Sequence, residues 1–175
     1  MDNNRLHLYT GNGKGKTTAA MGLALRMLGH GEKALIAQFM KDGTSGELKA
    51  LSALPNVKIF EGARMQGFIW RMGEAQLEKA RQENTEAITR LVDEIKAFEP
   101  RLTVLDELAV ALAVRLISQE DAWLLIDTAL EYGDTVVTGR YAGEKLMQKA
   151  DYISRIEAEK HPFEEGQPAR RGIEF

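Results

Sequence analysis

Cysteine is absent from this 175-residue chain, so it forms no disulfide and offers no thiolate to a metal ion. The three histidines, His7, His30 and His161, are scattered and show no metal-ligand spacing. Prolines are few, and no Pro/Ser-rich linker, internal repeat or low-complexity tract divides the chain, which is expected to be a single domain over residues 1–175. No charge of one sign dominates. Twenty-three Lys and Arg against 26 Asp and Glu leave a net charge of −3, which argues against a broad nucleic-acid surface while permitting a local basic cleft. There is no transmembrane run, and the start, Met1 to Arg5, is polar and unlike a secretory signal. No membrane partner and a cytoplasmic location are the corresponding expectations.

What is present is an ordinary globular balance, 44% hydrophobic and 28% charged, with a regular alternation of short apolar runs and helical stretches. Strands are predicted at Leu6–Tyr9, Lys33–Phe39, Val57–Phe60, Leu102–Leu105, Asp134–Thr138 and, as an edge, Asp151–Ile156. Helices are predicted over 16–29, 45–53 with Ser45 as N-cap, 119–131 and 142–149. The clearest helix carries Leu77, Ala80, Asn84, Ile88, Leu91, Ile95 and Phe98 at steps of three and four, and Pro100 stops it. Trp123 reads as helix core. Strands alternating with helices imply an α/β fold with a mainly parallel sheet covered on both faces, whose ligands sit at the carboxyl ends of the strands.

The most informative stretch follows the first strand: Thr10-Gly11-Asn12-Gly13-Lys14-Gly15-Lys16-Thr17-Thr18. Glycines let backbone N–H groups turn toward an anion, and the next helix adds free N–H groups and the positive end of its dipole. Lys16 supplies a mobile charge for phosphate oxygens, and the Thr17 hydroxyl suits Mg²⁺. Gly11, Asn12, Gly13, Lys14, Gly15, Lys16, Thr17 and Thr18 are therefore the candidate phosphate cradle. The strict G-x-x-x-x-G-K-[ST] pattern is broken at Thr10.

Further candidates end the other strands. Asp106 and Glu107 close an apolar strand, where hard oxygen ligands for Mg²⁺ are expected; the bland alternative is an N-cap pair for a helix starting near Leu108. Arg140, after Val136-Val137-Thr138-Gly139, presents either a guanidinium fork for triphosphate oxygens or a surface ion pair. Phe68 and Trp70 lie in a glycine-bounded loop with two methionines and arginines. That composition suits a large flat partner, and equally a loop that tucks its aromatics into the core.

Taken together, these residues resemble the P-loop corrinoid adenosyltransferases, ATP:cob(I)alamin adenosyltransferases. The resemblance runs over nearly the whole chain: Tyr9 to Ala20, Gln38-Phe39-Met40-Lys41, Gly67-Phe68-Ile69-Trp70, Val104-Leu105-Asp106-Glu107-Leu108, Thr138-Gly139-Arg140, and Lys160-His161-Pro162-Phe163 through Gly172-Ile173-Glu174-Phe175. The missing first glycine is usual in that family. The resemblance implies a P-loop NTPase, RecA-like three-layer fold. It implies transfer of the 5′-deoxyadenosyl group of ATP to the Co(I) of cobalamin or an incomplete corrinoid, with intact triphosphate leaving. ATP would lie reversed in the loop, so that C5′ faces the corrin.

On the same resemblance, Lys16 and Arg140 are the catalytic candidates, and Thr17, Asp106 and Glu107 the Mg²⁺ candidates. Phe68 and Trp70 match aromatics that displace the lower axial ligand of Co(II). A reduced flavoprotein would donate the electron, and the enzyme would be a homodimer. Some relatives carry an N-terminal extension over the corrinoid site; here only Met1 to Arg5 precede the first strand, so either the site is more open or another segment, such as one from a second subunit, closes it. The rival readings are a P-loop ATPase or nucleoside kinase acting at the γ-phosphate, and a non-catalytic nucleotide-binding module. A cobalamin carrier finds no Asp-x-His-x-x-Gly motif here.

Overall fold

A computed structural model describes residues 4–40, 45–61, 72–162 and 166–173. They form β1 (Leu6–Thr10), α1 (Lys16–Gly29), β2 (Ala34–Gln38), α2 (Gly46–Leu51), β3 (Val57–Phe60), α3 (Glu74–Phe98), β4 (Leu102–Asp106), α4 (Leu108–Ala113), α5 (Gln119–Tyr132), β5 (Asp134–Thr138), α6 (Glu144–Lys149) and β6 (Tyr152–Arg155). The six strands make one sheet in the order β3-β2-β4-β5-β1-β6. Every pairing in it is parallel.

The central strands are apolar on both sides because both sides are covered. Along β2, Ala34 and Ile36 pack with Ala20, Met21 and Ala24 of α1, while Leu35 and Ala37 pack with Ile88, Leu91 and Ile95 of α3. Val104 and Val136 face the α1 side, and Leu105 and Val137 the α3 side. Successive residues pointing to opposite faces thus build two cores, and the expected α/β three-layer fold is found. Burying a side chain such as Leu91 or Ile95, both at 0% exposure, contributes about 1.5–3 kcal/mol each. At the end of α3, Glu99 turns to φ 52 and its N–H bonds Ile95 O, so the helix is already closed before Pro100.

Three local expectations are refined. Ser45 occupies the N-cap of α2, but its side chain makes no capping bond. The helix expected over 142–149 begins at Glu144. Trp123 is only partly buried: it packs against the rim of the α3-side core, with the Lys149 ammonium 5.6 Å from its ring centroid.

The strand order decides what meets at the carboxyl edge. β5 lies between β1, which carries the glycine-rich loop, and β4, which carries the acids. The end of β5 therefore stands between loop and acid, and β2 flanks the acid on its other side.

Candidate functional site

Asp106 is the hub of that edge. It is fully buried at 0% exposure, and three side-chain donors from other elements meet its carboxylate. Oδ1 accepts from the Thr17 hydroxyl at 2.8 Å and from the Thr138 hydroxyl at 2.6 Å, and Oδ2 accepts from Gln38 Nε2 at 2.9 Å. The Thr138 oxygen in turn accepts the backbone N–H of Glu107 at 2.9 Å. The first turn of α1 and the ends of β2, β4 and β5 are thereby joined around one carboxylate. Glu107 occupies the N-cap of α4, where the capping alternative puts it, but its side chain makes no capping bond. Asp106 is engaged across the sheet, and Glu107 adopts φ 63 at the helix entrance.

Backbone strain gathers at the same edge. Met40, Glu107 and Tyr141, each just beyond a strand end, hold φ values of 59°, 63° and 60°. Left-handed conformations cost a non-glycine residue about 1–3 kcal/mol and cluster where binding sites over-determine the backbone.

Lys16 opens α1 and is 6% exposed, with Nζ donating to Gly13 O at 2.7 Å. Burial, then repulsion from the Arg140 guanidinium, pushes its pKa below the ordinary lysine value, against the opposing pull of Glu107, Asp106 and Glu157. Arg140 itself is exposed at the end of β5, close enough for its charge to be felt at Lys16. Two cations, one sheltered and one open, thus stand near each other at this edge.

The loop is braced from behind. Gly13 N–H donates to Ile156 O at 2.8 Å, Ile156 N–H donates to Thr10 O at 2.8 Å, and Asn12 Oδ1 accepts from Ala158 N–H at 3.0 Å. A Cβ on Gly11 would stand 2.3 Å from Ile156 O, and one on Gly13 would stand 2.7 Å from Glu157 backbone. These glycines therefore do more than free the backbone: they admit the segment after β6 against the loop. Gly13 N–H, expected to turn toward phosphate, is engaged by that segment instead, and so is the Asn12 side chain.

Residues 2–175 match the family of ATP:corrinoid adenosyltransferases BtuR/CobO/CobP. This chain belongs to that family. The corrinoid adenosyltransferase of Pseudomonas aeruginosa is 32% identical over 97% of this chain and 83% of its own length. The corrinoid adenosyltransferase CobA of Salmonella typhimurium is 33% identical over 96% and 84%, and that of Escherichia coli K12 32% over 96% and 84%. Membership makes the chain an enzyme that adenosylates a corrinoid, with ATP and the corrinoid as its substrates.

Of the residues read from sequence in this family member, Lys16, Thr17, Asp106, Glu107 and Arg140 meet at one edge, with Gly11 to Gly15 leading into it. Phe68 and Trp70 lie outside the described residues, as do Lys41, Phe163, Glu174 and Phe175. Sequence reading gave no role to Thr138 or Gln38, although both stood in motifs carrying the resemblance. Beside Tyr141 a groove of about 530 Å³ opens between α3, α5 and α6, walled by Trp123, Leu116, Arg81, Arg115 and Lys145. It holds neither Lys16 nor Asp106, so it is separate from the phosphate loop.

No group of three or more His, Asp or Glu stands ready for a metal among the described residues. The donor set nevertheless fits Mg²⁺. Thr17 and Asp106, joined at 2.8 Å with Glu107 next in sequence, supply the hard oxygens that Mg²⁺ takes, and waters and phosphates ordinarily complete such a shell.

Proposed function

We propose that this protein transfers the 5′-deoxyadenosyl group of ATP to the Co(I) of a corrinoid, cobalamin or a precursor, forming the adenosylated corrinoid and releasing triphosphate. The observation that supports this reading is the Thr17–Asp106 hydrogen bond, which joins loop and acid close to Lys16 and within the field of Arg140. The whole of residues 1–175 would serve as a single catalytic domain, acting in the cytoplasm as a homodimer.

The reaction is a displacement at C5′: the cobalt electron pair forms the new bond while the C5′–O bond breaks toward the triphosphate. No proton has to be removed from the nucleophile, so a general base has no task. Charge grows on the leaving oxygen, and that is where fixed cations help most. Lys16 has two N–H donors left after Gly13 O, and Arg140 offers a planar fork to the same oxygens. Thr17 and Asp106, with Glu107 beside them, would hold Mg²⁺, which neutralises the triphosphate when bound. The remaining loop residues, Gly11 to Gly15 and Thr18, would shape the cradle and hold the nucleotide in line. Phe68 and Trp70 would meet the corrinoid and strip the lower ligand from Co(II), so that a reduced flavoprotein can supply the electron.

Product analysis under anaerobic conditions tests the reading. ATP, Mg²⁺ and chemically reduced cobalamin should give a light-sensitive adenosylated corrinoid and one triphosphate per turnover. ADP and phosphate with unchanged corrinoid would reject it in favour of chemistry at the γ-phosphate.

Two variants separate the substrates. Arg140→Ala should lower kcat/KM for ATP by about 10–100-fold, the scale of one lost charge-assisted contact to developing charge, while corrinoid affinity stays near wild type. Lost corrinoid affinity with normal ATP use would move Arg140 to the other substrate. Trp70→Ala should impair the reaction started from Co(II) and a reductase more than the reaction started from Co(I). Equal losses in both assays would rule out ligand displacement.

A further inference from the structure

The groove beside Tyr141 joins an apolar floor to a cationic rim. Its volume of about 530 Å³ lies in the range of small-molecule sites, about 300–1,000 Å³. Leu112, Leu116, Ile117, Trp123 and Leu146 line it, all of them part of the α3-side core or its edge. The rim takes Arg81 from α3, Arg115 from the turn after α4 and Lys145 from α6, against Glu120 as the one acid of the lining among the described residues. In a chain of net charge −3 that excess of cations is local. Arg81 Nε donates to Arg115 O at 3.0 Å and its Nη1 to Glu78 at 3.2 Å, while Lys145 Nζ donates to Gln119 Oε1 at 3.2 Å. The exposed Arg115 guanidinium makes no hydrogen bond or ion pair among the described residues. Arg115 and Tyr141 hold left-handed φ values of 56° and 60°, and Tyr141 is 74% exposed at the groove's edge. The groove adjoins the nucleotide edge through the chain: α4 leads into it from Asp106-Glu107, and Tyr141 follows Arg140.

We propose that this groove takes the nucleotide arm of a complete corrinoid, with the flat benzimidazole base on the apolar floor and the phosphodiester among Arg81, Arg115 and Lys145. This rests on the proposed reaction and names the substrate class for it. A fully amidated corrinoid is edged by neutral groups, and the phosphodiester of its arm is the one peripheral anion, so a cationic rim finds its partner there. The floor suits the rest of the arm, because an aromatic base buries its faces on Trp and Leu side chains. A base displaced from Co(II) leaves with its lone pair, and no proton moves. Without a seat it returns to the metal; seated in the groove it leaves the cobalt four-coordinate. Arg81, Arg115 and Lys145 are specificity residues in this scheme and touch neither C5′ nor the cobalt.

The test compares kcat/KM for cob(I)alamin and for cob(I)inamide, whose arm ends without base or phosphate, at saturating ATP and Mg²⁺. Co(I) holds no lower ligand in either, so the ratio reports the arm alone. Wild type should favour cobalamin by about tenfold, the weight of one charge-assisted contact. Arg115→Ala should bring the ratio near one by losing cobalamin, and Lys145→Ala, on another element, should lower it in the same direction. A second readout is electron paramagnetic resonance of bound cob(II)alamin, where nitrogen splitting marks the base on cobalt. With ATP, wild type should show less of that splitting than Arg115→Ala. If wild type adenosylates neither corrinoid, the proposed reaction itself fails. If wild type adenosylates them without favouring cobalamin, if both variants keep the preference, if both corrinoids lose equally, or if the splitting is unchanged, the groove serves another occupant, such as the corrin body or a second copy of the chain, and the proposal is overturned. Arg115 and Lys145 are exposed, so both variants should fold as wild type by circular dichroism. Should Arg115→Ala not fold, Lys145→Ala carries the same comparison.

Discussion

Lys16→Ala should lower kcat/KM by about three orders of magnitude, measured as adenosylated corrinoid formed from chemically supplied Co(I). The size follows from where Lys16 sits. It is nearly enclosed and spends one N–H on Gly13 O, so its charge is held at the loop without the freedom of a surface lysine. A fixed cation in a site that excludes water stabilises a developing anion far better than a solvated one. Arg140 is exposed and cannot compensate. Circular dichroism should be unchanged, since truncation at the first turn of α1 leaves the α1-side core untouched. Turnover within tenfold of wild type would remove Lys16 from the catalytic set.

The same environment gives a pH signature. Burial and Arg140 both disfavour the charged form of Lys16, so its proton leaves at a lower pH than from an ordinary lysine. Activity depends on the ammonium, so kcat/KM, which reports the free enzyme, should fall as pH rises through this depressed pKa. Arg140→Ala removes the repulsive partner and should move that basic limb upward. A limb that stays in place would mean that another group titrates there.

Much of this site was legible in the sequence because its parts sit at strand ends, and strand ends are marked by apolar runs meeting Gly, Asp or Arg. β3 and β5 lie where the runs predict them, and α1 spans the predicted residues 16–29. What the sequence hid is lateral. Gln38 and Thr138 matter because β2 and β5 flank β4, and no periodicity within a strand says which strands are neighbours. Thr138 in particular read as the last residue before Gly139-Arg140, whereas in the fold it joins Asp106 to the Glu107 backbone. Trp123 erred for the opposite reason: its position on α5 fits the apolar stripe, but the rim of the core is open there and Lys149 covers the ring.

The bracing of the loop from behind leads to the second large effect. Gly11→Ala should destabilise the fold by about 2–4 kcal/mol and weaken ATP binding by about 100-fold, read by thermal unfolding and calorimetry. Two costs combine. Gly11 holds φ 99, which a side chain disfavours, and its new Cβ would meet Ile156 O at 2.3 Å, a backbone atom that cannot swing aside. Relief requires β6 and the segment after it to move off the loop. That breaks the bonds of Ile156 with Thr10 and Gly13 and the bond of Ala158 with Asn12, at about 1 kcal/mol each. Gly31→Ala separates the two costs. Gly31 also has a positive φ, 81°, but nothing lies within 4 Å of its Cβ position, and it sits beyond the far end of α1. It should show the conformational penalty alone, about 1 kcal/mol, with ATP binding unchanged. If Gly11→Ala matches Gly31→Ala in both measurements, the contact behind the loop carries no weight. If it exceeds Gly31→Ala in both, the tail of the chain sets the shape of the nucleotide cradle, and the loop's glycines are there as much for the tail as for the phosphate.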